Sequence, residues 1–157
     1  MYRCQFFFYI NNMRIYLDGV FDLYHRGHLE SFKYLKSEEF HKRVNSKNIV
    51  LIVGIVSDSD AEGYKRKPII NEGNRVEILK YNKLIDEVIF PCPLVIDKEF
   101  IDKNNIDYVV HGFADESDFD KQTEFFKIPI ELKKFLKINY YSKTSTSDII
   151  RKIKSLN

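Results

Sequence analysis

This sequence predicts a single α/β domain, with a parallel sheet of about five strands and helices on both faces. Three features carry the prediction. The chain has 157 residues, the size of one domain at roughly 100–200 residues each. Residues 49–56 read IVLIVGIV, uncharged and mostly β-branched, which suits a strand covered on both faces. Strand-like and helix-like segments alternate along the rest of the chain, the pattern of a parallel sheet flanked by helices. Ligands of such sheets bind beyond the carboxyl ends of the strands, where the strand order switches.

The elements follow in order. Residues 1–12 form an N-terminal extension whose stretch QFFFYI is apolar and aromatic. It lacks the long apolar core and small-residue cleavage site of a secretory signal. Met13 opens the domain proper, residues 13–157, and residues 14–17 make its first short strand. Leu29, Phe32 and Leu35 share one face of a helix over residues 29–36. Residues 37–47 are polar and charged and read as a loop. After the strand at 49–56, the basic loop YKRKP spans residues 64–68. Val76, Leu79 and Lys83 have helical spacing within residues 73–84. A short strand at 87–90 is closed by Pro91 and Pro93. Asp97 caps a short helix reaching Asn104. Residues 106–111, IDYVVH, read as a buried strand. The stretch 112–135 is ambiguous, with a helix near residues 120–127 that Pro129 is expected to stop. Residues 136–140 are a candidate last strand. Over residues 147–156, a final helix places Ile149, Ile150, Ile153 and Leu156 on one face.

Composition narrows the function classes. Apolar residues are 44% and charged residues 31%, which is globular rather than disordered. A formal net charge of +2 provides no wide phosphate-binding face, so nucleic acid is not an expected partner. No apolar run reaches the ~18 residues of a membrane span. Cys4 and Cys92 form no CxxC pair, which suits a reducing compartment.

Four segments are candidates for a site. Residues 18–28 read DGVFDLYHRGH and fall between the first strand and the first helix. His25 and His28 are three apart at a helix start, so both rings project to one side. Gly27 lets a ligand approach the backbone, and the helix start adds free N–H groups and partial positive charge. Together these suit a polyphosphate whose charge grows during reaction; two unrelated surface histidines are the plainer alternative. Lys65 follows the buried strand on the same carboxyl-end side, where its ammonium has the reach of an α-phosphate; a solvated basic loop is the alternative there. Arg75 stands in the first turn of a helix, where the dipole disfavours a cation; phosphate contact or a salt bridge to Glu72 would account for it. Thr144, Ser145, Thr146 and Ser147 precede the last helix, where hydroxyls and free amides hold phosphate oxygens. Plain N-capping explains only one of them.

In this order, these motifs resemble the cytidylyltransferases, which join CTP to an alcohol phosphate and release pyrophosphate. DGVFDLYHRGH resembles the family's first signature. LIVGIVSDSD with Lys65 after it, NEGNR with IDEV after it, and TSTSDII resemble the segments that follow. KEFIDKNNIDYVVH, ending at His111, looks most like the choline-phosphate branch. The likeness covers about residues 14–153.

The resemblance implies a Rossmann-like nucleotidyltransferase, cytoplasmic and homodimeric, with the segment around residues 6–9 adding to the dimer contact. His25, His28 and Lys65 are implied as catalytic. Val20, Phe21, Gly27, Arg75, His111, Ser145, Thr146 and Ser147 would bind nucleotide. Asp18, Asp22 and Lys65 would face the acceptor. Mg2+ would arrive with CTP rather than in a protein cage, so no metal-ligating residue is implied. The implied acceptor is phosphocholine or phosphoethanolamine, with glycerol-3-phosphate as the competitor. Where that branch has a tryptophan, Leu94 stands here, so Tyr24, Phe125 and Phe126 are candidates for the aromatic contact a quaternary ammonium needs. The family's closing RTEGIST is YYSKTST here, from Tyr140 to Thr146; Lys143 is the candidate to restore the arginine's charge. Phe113 and Ala114 stand near the place of an acidic residue beside the cytosine. The chain ends at Asn157 without an amphipathic membrane-sensing helix, from which no stable membrane binding is expected. A degenerate non-catalytic relative and an adenylyltransferase sharing HxGH are the rival readings.

Overall fold

The computed structural model describes residues 12–156; the N-terminal aromatic segment, Cys4 and the dimer contact expected around residues 6–9 lie outside them. Five strands, β1 (Met13–Gly19), β2 (Ile49–Ile55), β3 (Glu87–Ile89), β4 (Tyr108–Gly112) and β5 (Phe135–Ile138), form one parallel sheet in the order β3-β2-β1-β4-β5. β1 and β2 pair along seven residues, and Leu17 lies level with both Val53 and Val110. Successive side chains alternate faces along a strand, and both faces are buried. Ile15, Leu17, Leu51, Val53 and Val110 belong to one apolar cluster with Phe32, Leu35 and Phe40. Tyr16, Ile52 and Val109 belong to the other, with Ile96, Ile101 and Phe126. A strand packed on both sides leaves no room for charge, which explains the run IVLIVGIV.

Eight α-helices connect or flank the strands among the described residues: α1 (Arg26–Leu35), α2 (Glu38–Arg43), α3 (Asp58–Tyr64), α4 (Glu72–Lys80), α5 (Lys98–Lys103), α6 (Glu116–Gln122), α7 (Lys127–Glu131) and α8 (Thr146–Lys154). Several depart from the sequence reading, among them α3, an unexpected helix that runs into the expected basic loop at Tyr64. The polar stretch after α1 is not a loop: Ser37 caps α2 by accepting from the Phe40 amide, and Phe40 is fully buried. One apolar residue in six is too sparse a period to read. In the ambiguous stretch, Pro129 does not stop a helix. It sits in the first turn of α7, where its missing N–H has no intrahelical duty. Finally, the expected apolar stripe of α8 stays largely uncovered, with Ile153 52% exposed. The helix is held at its start, where Ser145 caps it.

Tyr16 gives a stability test. Its ring is fully buried on β1, yet its hydroxyl has no hydrogen-bond partner. Gly54 on β2 makes the room: a Cβ there would lie 2.1 Å from the hydroxyl oxygen. An unpaired buried hydroxyl costs roughly 1–3 kcal/mol of desolvation. Tyr16→Phe is therefore expected to leave stability unchanged or to raise it by ~1–2 kcal/mol, measured as the urea midpoint at constant slope. A loss above ~1 kcal/mol would show that the hydroxyl has a partner in solution.

Candidate active site

β1 and β4 are neighbours whose chains leave the sheet in different directions, the switch point of this strand order. A cleft of about 630 Å³ opens there. Its floor comes from Asp18 and Gly19 at the end of β1 and from His111 and Gly112 at the end of β4. Its walls come from the loop before α1, the loop after α3, α6 and the turn before α8.

The two histidines are fixed by the start of α1. His25 is the N-cap, and its Nδ1 accepts from the Gly27 amide at 3.0 Å. The Nδ1 of His28 accepts from the His25 amide at 3.3 Å, closing a capping box. Both Nδ1 atoms therefore act as acceptors, so each neutral ring carries its proton on Nε2. The rings stack with centroids 3.9 Å apart. The His25 Nε2–H points to the Thr146 hydroxyl at 3.3 Å, and that hydroxyl donates to the Asp22 carbonyl at 3.1 Å. Gly27 is required by crowding: a Cβ would lie 2.7 Å from His25 Cε1 and 2.8 Å from the Thr144 carbonyl.

Burial lowers the His28 pKa to about 3, with the neighbouring His25 and Lys65 pushing the same way. Burial also lowers that of His25, against the opposing charge of Asp148. The consequence for stability has a definite sign. An unfolded histidine titrates near 6.5, so between that value and about 3 the unfolded chain binds a proton that folded His28 refuses. Stability from this ring is complete above pH 6.5 and is lost as pH falls toward 3. The melting temperature is expected to drop steadily from pH 6.5 to 4, while the His28 ring stays neutral by NMR at pH 5. A His28 resonance that titrates near 6.5 would contradict the buried capping geometry.

Lys65 lies just past α3 and reaches the cleft wall. Loss of water around its ammonium lowers its pKa, opposed by Asp118 and Asp18. Among the described residues it makes no ion pair, and it stands 5.5 Å from the Tyr64 ring centroid. Ser145, Thr146 and Ser147 all line the cleft, with Ser145 spending its oxygen on the Asp148 amide at 3.1 Å. Val20 and Phe21 line it too, and Phe21 packs edge-on against His28. His111 lies 3.3 Å from Asp18, through Nδ1 and Oδ1.

Arg75 is not part of the cleft lining. Its side chain is buried, with Nε donating to the Ile70 carbonyl, Nη1 to the Val20 and Val56 carbonyls, and Nη2 to Asp58 at 2.6 Å. Contrary to the expectation of a triphosphate contact, the guanidinium is consumed in tying three loop carbonyls together, and its ion-pair partner is Asp58 rather than Glu72. Asp22 also departs from expectation. It is 4% exposed, and its two oxygens are taken by the Ile69 and Ile70 amides and by Arg66. Its carboxylate faces a loop, not an acceptor. The expected aromatic contacts do not form in the cleft either. The Tyr24 hydroxyl accepts from Asn82 and its ring lies on His28, while Phe125, Phe126 and Leu94 pack into the core. Lys143 does not line the cleft, whereas Tyr140 does.

The sequence reading places a helix near residues 120–127; α6 starts earlier, at Glu116, and brings Ser117, Asp118, Lys121 and Gln122 to the cleft behind Asp115, its cap. The signal was present: Asp115 three residues before Asp118 is a capping pattern. Phe113, beside it, packs on His111 and Phe126. No group of three or more His, Cys, Asp or Glu side chains gathers as a metal cage among the described residues.

The chain is similar to known proteins. A family model described as Cytidylyltransferase-like matches residues 16–152. Choline-phosphate cytidylyltransferase 2 of Arabidopsis thaliana is 37% identical over 145 residues, which is 90% of this chain and 44% of that protein. The chain thus spans less than half the length of that relative. FAD synthase of Methanothermus fervidus is 38% identical over 144 residues, 88% of this chain and 92% of that protein. The fold also resembles the crystal structure of the lipopolysaccharide core biosynthesis protein from Thermoplasma volcanium GSS1, with a TM-score of 0.57 at 23% identity over 83% of this chain and 98% of that one. The family match runs from β1 into α8 and takes in every loop that walls the cleft, so the chain belongs to the cytidylyltransferase-like family.

Proposed function

We propose that this protein transfers CMP from CTP to an alcohol phosphate, phosphocholine or phosphoethanolamine, and releases pyrophosphate. The observation that carries the reading is the shared cleft. Two Nε2–H groups, the Lys65 ammonium and two helix starts, those of α1 and α8, converge at the switch point of the sheet. Such a set of donors suits a phosphorus centre that gains negative charge. An oxygen of the acceptor phosphate attacks the α-phosphorus in line. The new P–O bond forms as the bond to the β-phosphate oxygen breaks, and pyrophosphate carries away the electron pair. No covalent enzyme intermediate is needed, so catalysis is placement and charge stabilisation. His28 donates to a phosphate oxygen through its Nε2–H, and His25 does so once its Nε2–H leaves the Thr146 hydroxyl. Lys65 neutralises the two phosphates that meet. The Ser147 hydroxyl and the amides at the start of α8 hold the triphosphate tail, with Ser145 and Thr146 shaping that turn through Asp148, Asp22 and His25, and His111 with the Val20–Phe21 backbone lines the nucleotide side.

Mg2+ in this proposal travels on the CTP phosphates with most of its waters. The proposed partners are CTP, the acceptor and a second copy of the chain, in the cytoplasm. Among the described residues, no helix is long and apolar enough to cross a membrane. An adenylyl-transfer reading has one specific support, the FAD synthase likeness. The test is pyrophosphate release from CTP or ATP across phosphocholine, phosphoethanolamine, glycerol-3-phosphate and FMN. A CTP-specific signal with the two amino-alcohol phosphates is expected. Release from ATP with FMN alone would replace the cytidylyl reading.

A further inference from the structure

Asp22 lies between two residues held in the left-handed region, Phe21 at φ 54° and Leu23 at φ 49°. Neither is glycine, so the conformation is strained and must be imposed by its surroundings. Asp22 is the centre of those surroundings. Its Oδ1 accepts from the Ile70 amide and its Oδ2 from the Ile69 amide, both at 2.9 Å, and Arg66 adds an ion pair at 2.8 Å. Its own carbonyl accepts from Thr146, whose hydroxyl also meets the His25 ring. One residue thus joins the histidine loop, the Lys65 loop and the turn before α8. Lys65 sits between two pins: the amides of Lys65 and Arg66 bond the Ala61 carbonyl at one end, and Asp22 grips Ile69 and Ile70 at the other.

We propose that Asp22 is a positioning residue that sets Lys65 against the two histidines, acting through the loop 65–70 rather than through any contact with substrate. The proposal rests on the phosphoryl-transfer role given to Lys65. Burial alone would raise the carboxyl pKa, but the two amides and Arg66 outweigh it and hold it below the usual carboxylate range. The clamp is therefore charged wherever the protein is folded near neutrality. The Ile70 carbonyl is held separately by Arg75, so the loop keeps one anchor when the Asp22 charge is removed.

Asp22→Asn keeps the shape but offers one acceptor oxygen where three donors converge. The expected result is a fall in kcat on the order of 10- to 10²-fold, with a smaller change in KM for CTP. The decisive comparison is a double-mutant cycle with Lys65→Ala. If Asp22 acts through Lys65, adding Asp22→Asn to Lys65→Ala changes kcat by less than about threefold. Losses that multiply would overturn the proposal. So would parental kcat in Asp22→Asn. Amide exchange gives a readout free of turnover: Ile69 and Ile70 should lose protection in Asp22→Asn, and unchanged protection there would also overturn it. A parent inactive on CTP and ATP would remove the reaction reading, and the exchange result would still decide the clamp. If Asp22→Asn does not fold, Arg66→Met removes the ion pair alone, and the same cycle then applies, with a smaller loss expected in the parent and none on Lys65→Ala.

Discussion

His28→Ala is expected to lower kcat by on the order of 10²- to 10³-fold, about 2.7–4 kcal/mol of transition-state stabilisation. Burial keeps the ring neutral, and its Nε2–H is a donor held in place by the cap that its Nδ1 makes. Such donors matter most when charge develops, so the loss falls on kcat more than on KM. His25→Ala should lose a similar factor in activity and somewhat more in stability. It removes an N-cap that accepts from the Gly27 amide, worth ~0.5–2 kcal/mol. His25→Asn restores the cap without restoring the Nε2 donor. It should recover melting temperature and not turnover. Turnover within threefold of the parent in both alanine variants would end the catalytic assignment.

Lys65→Ala is the second large effect. Two phosphates that repel each other must approach, and on the wall after α3 Lys65 is, among the described residues, the lining cation without an ion pair, Lys121 lining the cleft from α6 instead. Arg66 is paired with Asp22, and Arg75 is buried against Asp58. A loss in kcat of at least ~10²-fold is expected, with the melting temperature close to that of the parent. Lys65→Arg should rescue only in part, because a planar fork is not a compact mobile charge. Lys67→Ala, on an exposed residue that does not line the cleft, should turn over normally. A crippled Lys67→Ala beside a normal Lys65→Ala would mean that the wrong lysine has been assigned.

Parts of this arrangement were legible in the sequence because single residues carried them. The uncharged β-branched run at 49–56 suits a strand covered twice, and His25-Arg26-Gly27-His28, after the first short strand, falls at a strand's carboxyl end. Arg75 was harder. A cation in a helix's first turn does need an anion, but a half-buried carboxylate 17 residues upstream, together with loop carbonyls around the guanidinium, satisfies the same need as a phosphate. Nothing in local spacing separates the two. Asp22 misled for a similar reason: a carboxylate beside a histidine motif has the chemistry of an acceptor contact, and only the fold shows two amides already occupying it. α2 and the start of α6 were invisible to periodicity. Short helices of six or seven residues that bury one or two side chains carry their signal in their caps, Ser37 and Asp115, rather than in an apolar stripe.

The central claim is a bond exchange at the α-phosphorus of CTP, and one measurement follows it directly. The purified protein, CTP, Mg2+ and phosphocholine or phosphoethanolamine are incubated together, and products are resolved by 31P NMR. The account predicts equal amounts of pyrophosphate and of a new diphosphate diester, with both signals lost in His28→Ala. Intact CTP beside either acceptor, or orthophosphate in place of the paired products, would contradict it.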